Sequence, residues 1–225
     1  MAVQRYFSKA TFQFLNDLKA NNTRDWFADN KHRYEDHLKD PALRLIEAFG
    51  PELHKLSPHF KATPRSLFRI YRDTRFSKDK TPYKTAAGVH FRHEASKDAH
   101  APGFYLHVAP REVFVALGIW HPDSTALRKI RERIAEDGAT WKRVSRAKKF
   151  SETFPLEGDS LKRAPKGFDP EHPLIEDLRR KDFIGVHRVR QSFVTSADLP
   201  KELARTFKSG LPFMRFLCDA LGVPF

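Results

Sequence analysis

Apolar positions at the start of the chain recur with helical spacing. Ser8 can cap a helix in which Phe12, Leu15 and Leu18 share one face, ending near Asn21 and Asn22. Thr23 is the next N-cap, with Asp25 in the first turn, where a carboxylate suits the helix dipole. Its helix carries Trp26, Phe27, Asn30, Tyr34 and Leu38 and is expected to stop before Pro41, because a proline pushes the preceding residue out of helical geometry. Asp40-Pro41 restarts a short helix through Leu45 and Phe49. Gly50-Pro51 is expected to end that one, leaving a further turn over 51–57.

The middle of the chain changes period. Phe68 and Ile70 alternate with Arg69 and Tyr71, which suits a half-buried strand over 67–71. Residues 87–93, 103–109 and 113–120 read as further strands, joined by connections short enough for an antiparallel meander. Helical spacing returns after Asp123 or Ser124, with Leu127, Ile130 and Ile134 on one face, Arg128, Lys129, Arg131 and Arg133 elsewhere, and Gly138 as the stop. A helix with Trp141 and Val144 comes next, then an irregular stretch over 150–173, a short helix to about Arg180 and a strand over 183–189. The last helix runs from Pro200 and is broken at Gly210-Leu211-Pro212.

No repeat, low-complexity tract or linker divides the sequence. Residues 1–225 therefore read as one α+β domain, with N-terminal helices over about 8–57 and a mainly antiparallel sheet over about 66–120. C-terminal helices with one further strand fill about 123–225.

Composition narrows the class. The single cysteine, Cys218, excludes an internal disulfide framework and a thiolate zinc cluster, and its apolar neighbours Phe216, Leu217 and Leu221 mark it as a small buried hydrophobe. No apolar run reaches the roughly 18–20 residues of a membrane span, and the first residues lack a secretion signal, so a soluble, cytoplasmic protein is expected. Eleven histidines are scattered without His-x-x-x-His spacing; His90, His93, His100, His107 and His121 lie in or near the sheet region. Neither metal nor cofactor is expected. Phosphate-binding glycine loops and the Gly-x-Ser-x-Gly elbow are missing from the sequence.

Charge changes the picture more. Against 28 acids stand 41 Lys and Arg, a net +13. Residues 61–92 hold nine of those bases and only Asp73 and Asp79, so +7 lies in this one stretch. Within it Arg69, Arg72, Arg75, Lys80 and Lys84 can converge on an anion, since arginine forks grip phosphate or carboxylate at two points. Asp73 and Asp79 would orient them. Arg–Asp clusters also tie loops to sheets, and that structural role competes with the functional one.

The run RIYRDTRFSKDKTPYK resembles the signature of a bacterial and fungal family, domain-of-unknown-function family 2461. Its hallmark falls on Arg69, Arg72, Asp73, Arg75, Phe76, Asp79, Lys80 and Tyr83. The likeness extends to FLNDLKANNTRDWFADNKHRYE and LKRAPKGFDPEHP, and so over nearly the whole chain. It implies identity with that family and no transferable activity.

Two other stretches compete for function. Trp26, Asn30 and Tyr34, with Arg33 nearby, form either a ligand wall or a core-facing stripe whose Asn caps backbone. Lys166-Gly167 can form an anion nest and His172 can carry a proton, or the loop is a plain Pro/Gly turn. The leading function is binding of an anionic ligand, either a phosphorylated metabolite or a nucleic-acid backbone. An enzyme acting on a phosphate- or carboxylate-bearing substrate is the alternative, with Arg69, Arg72 and Arg75 holding the anion. Asp73 would then be base or orienter, and Tyr83 or His172 the proton donor. A basic adaptor for an acidic protein is a third possibility that no motif favours. No membrane partner is expected.

Overall fold

The computed structural model describes residues 6–95 and 101–225. His100 and the first five residues lie outside them. Helix α1 (Lys9–Ala20) starts at Ser8, whose N–H donates to Thr11 Oγ1, and buries Phe12, Phe14, Leu15 and Leu18. Thr23 caps α2 (Arg24–Asp29), accepting from the Trp26 N–H. Asn30 separates α2 from α3 (Lys31–Tyr34).

Pro41 does not stop the chain. A π-helical turn over Glu35–Lys39 leads straight into α4 (Asp40–Leu56). Proline brings no N–H to the carbonyl four residues back, at His37. The hydroxyl of fully buried Thr11, on α1, donates to that carbonyl at 2.6 Å. Gly50-Pro51 fails as a stop for a different reason: Leu45, Phe49, Leu53 and Leu56 are all buried on one face of α4, and their packing outweighs the lost backbone bond.

The sheet joins β1 (Ala87–Arg92), β2 (Gly103–Ala109) and β3 (Glu112–Ile119) as an antiparallel meander. After β3 follow α5 (Ser124–Glu136), α6 (Gly138–Ser145) and α7 (Lys148–Thr153). Gly138 opens α6 and does not merely end α5: the Asp137 carboxylate caps the new helix through Thr140 N–H. The stretch expected to be irregular starts with α7 and the two-residue β4 (Leu156–Glu157).

After α8 (Ile175–Leu178), β5 (Phe183–Val189) enters between β3 and β4, giving the order β1-β2-β3-β5-β4. Gly118 makes that insertion possible: its φ is +120, and a Cβ there would lie 2.0 Å from the Phe183 carbonyl oxygen. The chain closes with α9 (Gln191–Val194), α10 (Leu199–Lys208) and α11 (Leu211–Leu221), broken at Gly210 as expected.

The architecture is α+β, with an antiparallel sheet in the middle and helices at both ends. N- and C-terminal helices meet over one sheet face, where Phe49 packs on Phe91 at 4.8 Å and Phe207 on Phe104 at 4.9 Å. Trp141 fills the far end against Phe213 and Phe216. Arg131, expected off the apolar face of its helix, is nevertheless shut away from solvent. Its Nη2 donates to the Arg180 carbonyl at 2.8 Å, and burial lowers its pKa. Cys218 is fully buried, and burial pushes its thiol up to about 12. Among the described residues, no helix is long and apolar enough to cross a membrane.

Candidate functional site

Residues 67–89 form a hairpin along the outer edge of β1. It is not the regular strand expected over 67–71, because only Leu67 and Tyr71 make ladder bridges, to Val89 and Tyr83. Arg72 N–H donates to the Pro82 carbonyl and Lys84 N–H to the Ile70 carbonyl, whereas Phe68 N–H reaches Gly88. The register slips at the bend over 85–86, so the ladder is interrupted. The alternation itself holds: Ile70 is buried, Arg69 and Tyr71 exposed.

The loop between the arms is braced by its own charges. Arg75 grips Asp73 through Nε (3.0 Å to Oδ1) and Nη2 (2.7 Å to Oδ2). Arg72 bonds both Asp79 and Thr81 Oγ1, and Thr81 N–H donates to Asp79 at 2.9 Å. Lys80 Nζ donates to the Thr74 carbonyl at 2.9 Å. The Arg75 hydrogen bonds hold the Asp73 carboxyl down at about 2. Asp79 sits at about 2 as well, through Thr81 N–H first and Arg72 next. A carboxylate so stabilised is a poor proton acceptor near neutral pH, and its geometry is that of an arginine orienter.

Asn22 fastens the hairpin to the helices. Its Nδ2 donates to the Tyr83 carbonyl and its Oδ1 accepts from Tyr83 N–H, both at 3.0 Å. The Tyr83 ring stacks on Phe27 at 4.1 Å, and burial, then the neighbouring Tyr71, raises its hydroxyl pKa. Between α1 and the hairpin lies a cavity of about 450 Å³. Lys19 and Asn22 line one side, Arg72, Asp79 and Thr81 the loop side, and Tyr83, Lys84 and Thr85 the return arm.

Lys84 Nζ donates to the Arg69 carbonyl at 2.8 Å and sits over the Phe68 ring. Burial, then the Arg69 charge, lowers its pKa. Asp79 is matched by Arg72, whereas Lys19 and Lys84 have no carboxylate partner among the described residues. A second cavity, about 470 Å³ beside α4, has Asp40 and Glu47 against Arg44, the wrong balance for an anion.

Of the residues singled out in the sequence, Arg72, Tyr83 and Lys84 reach the cavity, and Arg69 touches it through Lys84. Asp73, Arg75 and Lys80 brace the exposed tip. Lys166 and His172 lie elsewhere. Their loop is fixed to the β4–β5 edge by the Ser160–Arg180 bridge and the Leu161 N–H to the Arg179 carbonyl. Four strand intervals of about 4.8 Å, roughly 19 Å in all, separate that edge from the hairpin side. His172 Nδ1 accepts from Leu174 N–H at 3.0 Å.

Trp26 and Tyr34 pack on Phe14, and Asn30 caps the Trp26 carbonyl while receiving Arg33, so this half-buried stripe packs against the core. Lys19, Asn22, Thr81 and Thr85 were missed as site residues. Asn22 was read as the end of the first helix and within the FLNDLKANNTRDWF run, with nothing to say that it reaches across 61 positions.

Fold and site together define an α+β protein whose sheet edge carries a braced basic hairpin over a cationic cavity. The chain belongs to the family described as conserved hypothetical protein, domain of unknown function 2461, whose profile matches residues 10–216. A search of curated proteins finds no match.

Proposed function

We propose that this protein binds a phosphate- or carboxylate-bearing ligand in the cavity between α1 and the hairpin. One observation supports this above all: Lys19, Arg72 and Lys84 line a single cavity whose only carboxylate among the described residues, Asp79, is already neutralised by Arg72. Lys19 and Lys84, which have no carboxylate partner among the described residues, thus border a space of about 450 Å³, within the range of small-ligand sites. Clustered cations cost less when an anion joins them, which favours occupancy.

The distribution of the other bases argues against a long duplex footprint. Arg128, Arg133, Arg146 and Lys148 pair with Glu132, Asp137, Asp177 and Glu152 near the opposite sheet edge. They do not continue the hairpin's charge as one stripe. A cytoplasmic location fits the same reading, given a single, buried cysteine.

The test is calorimetric titration with inorganic phosphate and pyrophosphate at fixed ionic strength. Wild type should bind saturably. Each of Lys19→Met and Lys84→Met removes one charged contact worth about 1.5–3 kcal/mol and should weaken binding roughly 10- to 100-fold. Equal affinity in Lys84→Met and wild type would sink the proposal.

A further inference from the structure

The hairpin tip carries a feature the cavity does not use. Phe76 is 96% exposed and Tyr71 53% exposed. The loop that carries Phe76 is braced by two Arg–Asp pairs and the Lys80–Thr74 bond. The Arg75 guanidinium lies 5.8 Å from the Phe76 ring centroid. Asp73 and Asp79 are consumed by Arg75 and Arg72, whereas Arg69 and Lys78 have no ion-pair partner among the described residues. The surface offered is therefore aromatic and cationic.

We infer that the hairpin binds single-stranded nucleic acid, stacking bases on Phe76 and Tyr71 while a backbone phosphate sits in the Lys19–Lys84 cavity. The inference rests on the anion-binding proposal for that phosphate and names its class of ligand. Exposed rings among lysines and arginines suit a single strand, because every base offers a π face and every linkage a charge. Phe76 stands four residues beyond Arg72, at most about 14 Å of chain, so a short oligonucleotide spans cavity and tip. A duplex hides its bases and gains nothing from Phe76. An acidic protein would use the cations but has no general need of exposed flat rings.

The experiment is fluorescence anisotropy of a labelled ten-nucleotide DNA of mixed sequence, with the full chain at 50 mM salt. Phe76→Ala should weaken binding about 5- to 150-fold, the effect of one stacked base, and Phe76→Trp should preserve it. With about three phosphates neutralised, affinity should fall roughly tenfold or more between 50 and 200 mM salt. Phe76 is exposed, so both variants should keep the wild-type melting temperature.

Phe76→Ala should leave titration with inorganic phosphate unchanged, whereas Lys84→Met should weaken phosphate and oligonucleotide alike. Oligonucleotide binding indifferent to Phe76→Ala overturns the stacking inference even if phosphate binding stands. Loss of phosphate binding in wild type, with Phe76-dependent oligonucleotide binding intact, retires the cavity anchor instead. Failure to bind the oligonucleotide, with Phe76-dependent binding of polyglutamate, overturns the inference in favour of an acidic protein partner.

Discussion

Asn22 is the most exacting place to test the assembly of the site. Its side-chain amide reproduces, across 61 positions, the paired hydrogen bonds of an antiparallel strand on Tyr83, with both distances 3.0 Å. Asn22→Ala deletes both bonds and leaves a backbone N–H and carbonyl in a half-buried setting. At about 1 kcal/mol for each net hydrogen bond, the loss is about 2 kcal/mol, and more where water cannot replace the amide. For a chain of this length that corresponds to a fall of about 4–8 °C in Tm.

Urea unfolding followed by tryptophan fluorescence would read this as a lower midpoint with an unchanged slope, since the surface exposed on unfolding is the same. Amide exchange at Tyr83 should accelerate locally, because its N–H then opens without unfolding of the core. Asn22→Asp keeps the acceptor but faces the Tyr83 carbonyl with another oxygen, so it should not recover full stability. A loss below about 0.5 kcal/mol, with Tyr83 still protected, would refute the clamp and leave the hairpin held by Phe27 stacking alone.

Thr11→Val should cost about 1–3 kcal/mol by orphaning the His37 carbonyl, measured by urea unfolding. Pro41→Ala should offset much of that loss in the double variant, because residue 41 then supplies an N–H; strict additivity would contradict the substitution of hydroxyl for amide. Both loop carboxyls have folded pKa values of about 2, below the ordinary 3.8, so their bracing is complete above pH 4 and lost as pH falls through about 2. Carboxyl carbon shifts of Asp73 and Asp79 should titrate with midpoints near 2, and midpoints near 3.8 would mean that Arg75 and Arg72 do not hold them.

Local chemistry made much of the fold legible. The cap at Thr23, the cap at Asp123 or Ser124, the break before Pro212 and the strand over 183–189 are decided within a few residues, and each appears where the pattern put it, with Asp123 as the second cap. Proline was misleading at 41 and 51 because its cost there is met from outside the local sequence: by Thr11 at one position, by the buried face of α4 at the other. Part of the site was legible through the clustering of Arg72, Asp79, Tyr83 and Lys84 in one loop. Lys19 and Asn22 were not, because their role depends on α1 lying against a hairpin far along the chain. Lys166 and His172 drew attention by composition alone. Strand order, with β5 inserted ahead of β4, carries them to the other edge, and no local pattern encodes that order.

The cavity's lining runs only from Lys19 to Thr85, and the edge strand beside it ends at Arg92. During synthesis every one of those side chains is therefore made before the strands and helices that follow β1. The layer that steadies them arrives last: Phe49 of α4 and Phe104 of β2 both wait for Phe207 of α10. A nascent chain thus displays its cations and its exposed phenylalanine well before the core that fixes them can close. For this protein the order of translation sets a period in which the binding groups are present but not yet held to one geometry.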